Sequence, residues 1–129
     1  MDAKALLKNK SICTLPWTGF ELEPSGTVKN CIISKTSLGT INKSNIKDIM
    51  HGKENIELKQ SMLKDEKPAN CAGCYLQEKN TTNLSSISSR LYYLKEVGAK
   101  TDLTLYDDVK NFSLKHVDLR WTNSCNQAC

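Results

Sequence analysis

The sequence predicts an α+β fold, a small β-hairpin plus several helices around a four-cysteine metal centre. Three observations lead there. Apolar and polar residues alternate on both sides of Glu23-Pro24-Ser25-Gly26 within 11–33, the pattern of two half-buried strands joined by a turn. Apolar residues three and four apart recur between 44 and 66 and again beyond 84, the period of a helix face. Four cysteines follow the spacing Cys13-x17-Cys31-x39-Cys71-x2-Cys74. Two thiolates three positions apart, one with a Gly neighbour, address a single centre from one tight turn, and a distant pair closes the shell.

At 129 residues the chain fits one small domain. Its apolar share of 39% is low for a globular chain, so a bound metal would supply stability that the core does not. The 18 Lys and Arg against 14 Asp and Glu are scattered and form no stripe of the kind that binds nucleic acid. No stretch approaches the ~20 apolar residues of a membrane span, and residues 1–10 do not read as a signal peptide. The expected compartment is the cytoplasm, where cysteines serve more often as metal ligands than as disulfides.

Taken in order, Cys13 and Pro16-Trp17 open the hairpin segment 11–33, with Trp17 forming an apolar wall beside the site. Phe20 and Leu22, then Val28 and Ile32, alternate as strands. Pro at the second turn position and Gly at the fourth fit the bend between them. The hairpin returns Cys31 towards Cys13. Ser44 is the expected N-cap of a short helix carrying Ile46, Ile49 and Met50 and stopping at Gly52. A second helix is expected over about 54–66, with Ile56, Leu58, Met62 and Leu63 on its face, ended by Pro68. Leu84, Ile87, Leu91 and Leu94 then mark an amphipathic helix ending at Gly98, although Ser85, Ser86, Ser88 and Ser89 weaken its start. Residues 98–113 read as a linker. Lys115 to Trp121 alternates as a strand, followed by a polar turn at Thr122-Asn123-Ser124.

Four ionised cysteines hold either Zn²⁺ or an iron–sulfur cluster, and ligand identity alone does not separate them. Zinc ribbons, however, usually carry two CxxC knuckles, whereas here a whole hairpin splits the first pair. His51 and His116 stand apart from the cysteines in sequence and read as surface or interface residues. No Ser/His/Asp set, carboxylate pair or phosphate-binding Gly loop stands out.

Cys13-x12-Gly26-x4-Cys31 followed by Cys71-x2-Cys74 resembles the auxiliary-cluster module of radical S-adenosylmethionine enzymes, in the short twitch form of the SPASM domain. Pro16-Trp17, the Pro24-Ser25-Gly26 turn, the helix before Cys71 and, more weakly, Glu78 and Ser89-Arg90 extend the likeness over about residues 11–97. The resemblance implies one [4Fe–4S] cluster on Cys13, Cys31, Cys71 and Cys74, with a structural or electron-transfer role.

Asp118-Leu119-Arg120 leading into Asn123-Ser124-Cys125-Asn126-Gln127-Ala128-Cys129 resembles the first strand and the opening of the radical S-adenosylmethionine motif, Cys-x3-Cys-x2-Cys. It implies that 114–129 begins an (α/β) barrel core. There Cys125 and Cys129 would bind a second [4Fe–4S] cluster whose open iron takes S-adenosylmethionine. The third cysteine would fall three positions past Cys129, so the 129 residues are expected to be inactive alone. In that family the auxiliary module usually follows the barrel; here it precedes it. A peptide or small molecule would be the full-length enzyme's substrate, and no other partner is evident. The alternative reading is a four-cysteine zinc module for structure or binding.

Overall fold

The computed structural model describes residues 1–80, 87–120 and 122. The order of elements is helix α1 (Ala3–Lys8), helix α2 (Leu15–Thr18), strands β1 (Gly19–Leu22), β2 (Thr27–Lys29) and β3 (Gly39–Thr40), helices α3 (Ile46–Met50), α4 (Lys53–Leu63), α5 (Ala72–Asn80) and α6 (Ser89–Glu96), then strand β4 (His116–Leu119). The fold is α+β, as the residue pattern predicts. Among the described residues no helix is long and apolar enough to cross a membrane.

The hairpin forms where the turn residues put it. Gly26 N–H donates to the Glu23 carbonyl at 2.9 Å and closes the turn. Gly26 has φ +90°, and a Cβ there would lie 2.9 Å from Asn42 Nδ2, so only glycine sits there without strain. β1 and β2 pair antiparallel with Leu22 opposite Val28. The sheet order is β3-β2-β1-β4, and β4 lies parallel to β1 with Phe20 opposite Val117 and Glu21 opposite Asp118. The sheet thus gains an edge strand from almost a hundred residues downstream. Gly19 permits that approach, because a Cβ on it would fall 2.5 Å from the His116 carbonyl oxygen.

Two cores flank the sheet's root. Phe20 and Val28 pack with Leu38, Ile49 and Met50. The larger core joins Leu6, Ile12, Leu15, Trp17, Leu58, Met62, Leu94 and Tyr106. Trp17 and Tyr106 meet edge to face, centroids 5.4 Å apart, and the buried Tyr106 hydroxyl lies 2.6 Å from Thr14 Oγ1. Segment 98–113, expected as a plain linker, therefore carries a core residue and includes two 3₁₀ turns, Gly98–Lys100 and Leu103–Asp107.

Several boundaries differ from the sequence expectation. The cap of α3 is Asn45, not Ser44; its side chain accepts from Asp48 N–H at 2.8 Å, as N-cap amides do. Helix α4 stops before Pro68. Asp65 turns left-handed at φ 59°, and Glu66 N–H bonds back to the Ser61 carbonyl, a Schellman-type ending. Helix α6 starts only at Ser89, capped by the Ser88 side chain. Ile87 is exposed, while Leu84, Ser85 and Ser86 lie outside the described residues.

Glu21 sits in the middle of β1 with 1% exposure, and neither carboxylate oxygen has a hydrogen-bond partner. The nearest cation, Arg120 Nε, stands 3.8 Å away. Burial raises the Glu21 carboxyl above its ordinary 4.5; Arg120 and Lys29 pull it down, and Glu23 and Asp118 push it up. A carboxyl whose folded-state pKa is raised holds its proton in the fold at a pH where the unfolded chain has lost it. Stability therefore falls as pH rises above 4.5 and through the folded value. Glu21→Gln removes that cost, so the variant is expected to be more stable at pH 7, by about 1 kcal/mol. Urea titrations at pH 7 and pH 5 check it: the gap narrows on acidification, and a gap equal at both would refute the assignment.

Candidate metal centre

Each of the four cysteines is delivered by a different local device. Cys13 precedes the short helix α2, whose Pro16 occupies the first turn, where a missing N–H costs nothing. Cys31 leaves the end of β2. Pro68 leads into a 3₁₀ turn, Ala69–Cys71, so Cys71 closes that turn. Cys74 lies in the first turn of α5. The CxxC is thus a 3₁₀-to-α junction and not the isolated tight turn expected from sequence.

These devices bring Cys13, Cys31, Cys71 and Cys74 into the wall of one largely enclosed cavity of about 20 Å³, together with Asn30, Tyr75 and Arg90. All four are free thiols, Cys13 and Cys74 buried and the other two half-buried. Among the described residues no group of three or more His, Cys, Asp or Glu side chains is gathered to hold a metal ion. The cysteines surround a space; they do not converge on a point.

Burial, first of all, pushes every thiol upward, Cys71 to about 12. Mutual repulsion adds to this, since Cys13 feels the other three. Against that stands a set of N–H donors. The Leu15 amide serves Cys13, the Ile33 and Ser34 amides serve Cys31, and the Ser89 and Arg90 amides serve Cys74. Asn30 Nδ2 lies 3.9 Å from Cys71 Sγ. Every sulfur thus has a donor aimed at it, which favours the thiolate over the thiol. Buried thiols of this kind remain protonated until a cation takes the place of the protons, so loading the site releases protons.

Arg90 closes the wall. It is 5% exposed and paired with Glu78, 19% exposed. Its Nη1 donates to the Ile12 carbonyl at 2.9 Å, one residue from Cys13. Its guanidinium lies 5.8 Å from the Tyr75 ring centroid, and the Tyr75 hydroxyl donates to the Ser11 carbonyl at 2.7 Å. The pair ties α5, α6 and the segment leading to Cys13 around the cavity.

Residues 13–75 match the family model of the SPASM iron–sulfur cluster-binding domain. The SPASM match begins on Cys13 and ends one residue past Cys74, so it spans all four cysteines. Among curated proteins and among solved structures nothing matches the chain. The donor set fits such a group on its chemistry: four cysteines around one enclosed space, each sulfur with an N–H donor.

Both histidines lie away from this cavity. His51 is exposed, its Nδ1 2.7 Å from the Lys47 carbonyl; His116 is half-buried and pairs with Asp118 at 3.0 Å. Cys125 and Cys129 lie outside the described residues. Asn30 and Tyr75 are site residues that the sequence pattern does not reveal. Asn30 carries one local signal, a polar residue set between a strand and a cysteine.

Proposed function

We propose that the chain binds one [4Fe–4S] cluster through Cys13, Cys31, Cys71 and Cys74, as a structural or electron-transfer centre. The observation that carries this reading is the shared cavity whose four sulfurs all receive N–H donors, within the stretch that matches SPASM. A lone tetrahedral zinc would need the sulfurs about 3.8 Å apart, since Zn–S bonds are about 2.3 Å long. A bound cluster supplies one-electron redox capacity, tuned by burial and by hydrogen bonds to its sulfurs. The residues of the chain supply the rest: α2 and Tyr75 wall off water, and the backbone amides hold the thiolate charge.

We also infer that β4 and the following Cys125…Cys129 segment open the core of a radical S-adenosylmethionine enzyme. The strand's position beside the hairpin, directly ahead of a Cys-x3-Cys, supports this. Catalysis would then need a third motif cysteine and the rest of a barrel, which these 129 residues do not contain. S-adenosylmethionine with a reductant is therefore expected to yield no 5′-deoxyadenosine with this chain.

Anaerobic reconstitution with iron and sulfide tests the cluster. The expected product is brown, with about four irons and four sulfides per chain, and loses its colour in Cys13→Ser or Cys31→Ser but not in Cys125→Ser. A colourless protein holding one zinc, which has a filled d shell, would establish the zinc-module reading instead.

A further inference from the structure

Arg90 is the one Lys, Arg, Asp or Glu residue that lines the four-cysteine cavity among the described residues. Glu78 pairs with it, accepting from Arg90 Nε at 2.9 Å and from Ser88 Oγ at 2.7 Å. The ion pair thus sets a cation on a residue of the cavity wall and an anion beside it. Both members are largely shielded from water, so their fields are weakly screened.

We propose that Arg90, aligned by Glu78, sets the reduction potential of the group held by Cys13, Cys31, Cys71 and Cys74. This rests on the cluster reading above. Four thiolates already place negative charge in the cavity, and one-electron reduction adds one more. A guanidinium in the wall stabilises the reduced form more than the oxidised one and so raises the potential. Glu78 opposes it, and at Cys74 its charge weighs more than that of Arg90. Arg90 is a positioning charge here and not a ligand.

The two ends of the pair must therefore act with opposite sign. Reconstituted wild type, Glu78→Gln and Arg90→Gln are titrated anaerobically against mediator dyes, following the visible charge-transfer band. Arg90→Gln is expected to lower the potential and Glu78→Gln to raise it. At fixed ambient potential each changes the reduced-to-oxidised ratio by about tenfold, 59 mV for a one-electron couple. A merely structural role would change iron content or stability in both variants without opposing shifts. Shifts of the same sign, or none at full iron content, overturn the proposal. Should Arg90→Gln fail to retain iron, Glu78→Gln decides alone, because it keeps the guanidinium: a raised potential supports the assignment, an unchanged one refutes it. Wild type that takes up no iron overturns the cluster reading, and this inference with it.

Discussion

Cys71→Ser is expected to abolish cluster loading and to unfold the region around 11–76, leaving more than a local loosening. Coordination in small metal-centred domains contributes on the order of 10 kcal/mol, as much as the whole stability of an ordinary domain. The geometry gives the reason for a global effect. Cys13 belongs to the main core, and Cys31 and Cys71 pack against it, so the ligands bridge the hairpin, α2 and the start of α5. Losing one ligand removes the coordination that joins these three segments. Circular-dichroism melts of reconstituted wild type and the serine variant check this: a fall of tens of degrees is expected, with an iron-free product. An unchanged melting temperature would show that the apolar cores suffice.

The parts of this fold that are legible in the sequence are those with a local cause. The turn at Glu23–Gly26 needs only Pro and Gly in the right places, and the paired cysteines declare a coordination chemistry whatever surrounds them. Helix α5 is hidden for the opposite reason. It begins inside the CxxC, carries Gly73, and buries Tyr75 while leaving Leu76 exposed, so it shows no apolar period. Pro68 looks like the end of α4 because nothing local announces that Asp65 will turn left-handed. The parallel pairing of β4 with β1 joins residues far apart in sequence, where no local rule applies. Buried charge is the least legible feature. Glu21, Lys59 and Arg90 read as surface residues on average behaviour, and only the fold shows which polar atoms enclose them.

Lys59 shows what such a buried charge does. It is 0% exposed, and its Nζ donates to the carbonyls of Val109 and Asn111 at 3.0 and 2.8 Å. It also lies 5.4 Å from the Trp17 ring centroid and 5.9 Å from that of Phe112. Burial pulls its pKa down to about 8, with Asp108 pulling the other way. The ammonium is thus still charged at neutral pH, and it latches α4 to the 108–112 segment. Lys59→Ala leaves a cavity beside Trp17 and two carbonyls without their donor, an expected loss of about 3–5 kcal/mol. Lys59→Met keeps most of the volume and removes the cost of burying a charge, but still orphans both carbonyls, so a smaller loss of about 1–3 kcal/mol is expected. Because the folded pKa lies below the unfolded 10.5, the unfolded chain holds the extra proton between those values. A lowered lysine pKa means that stability is lost, not gained, as pH falls from 10.5 towards about 8, and the Lys59 contribution grows more favourable in the opposite direction. Neither variant shares that rise. Urea unfolding of wild type and both variants at pH 7 and pH 9.5 measures this. The wild-type advantage should widen at the higher pH; if Lys59→Met equals wild type at both, the two carbonyl bonds contribute nothing net and the latch is only a matter of packing.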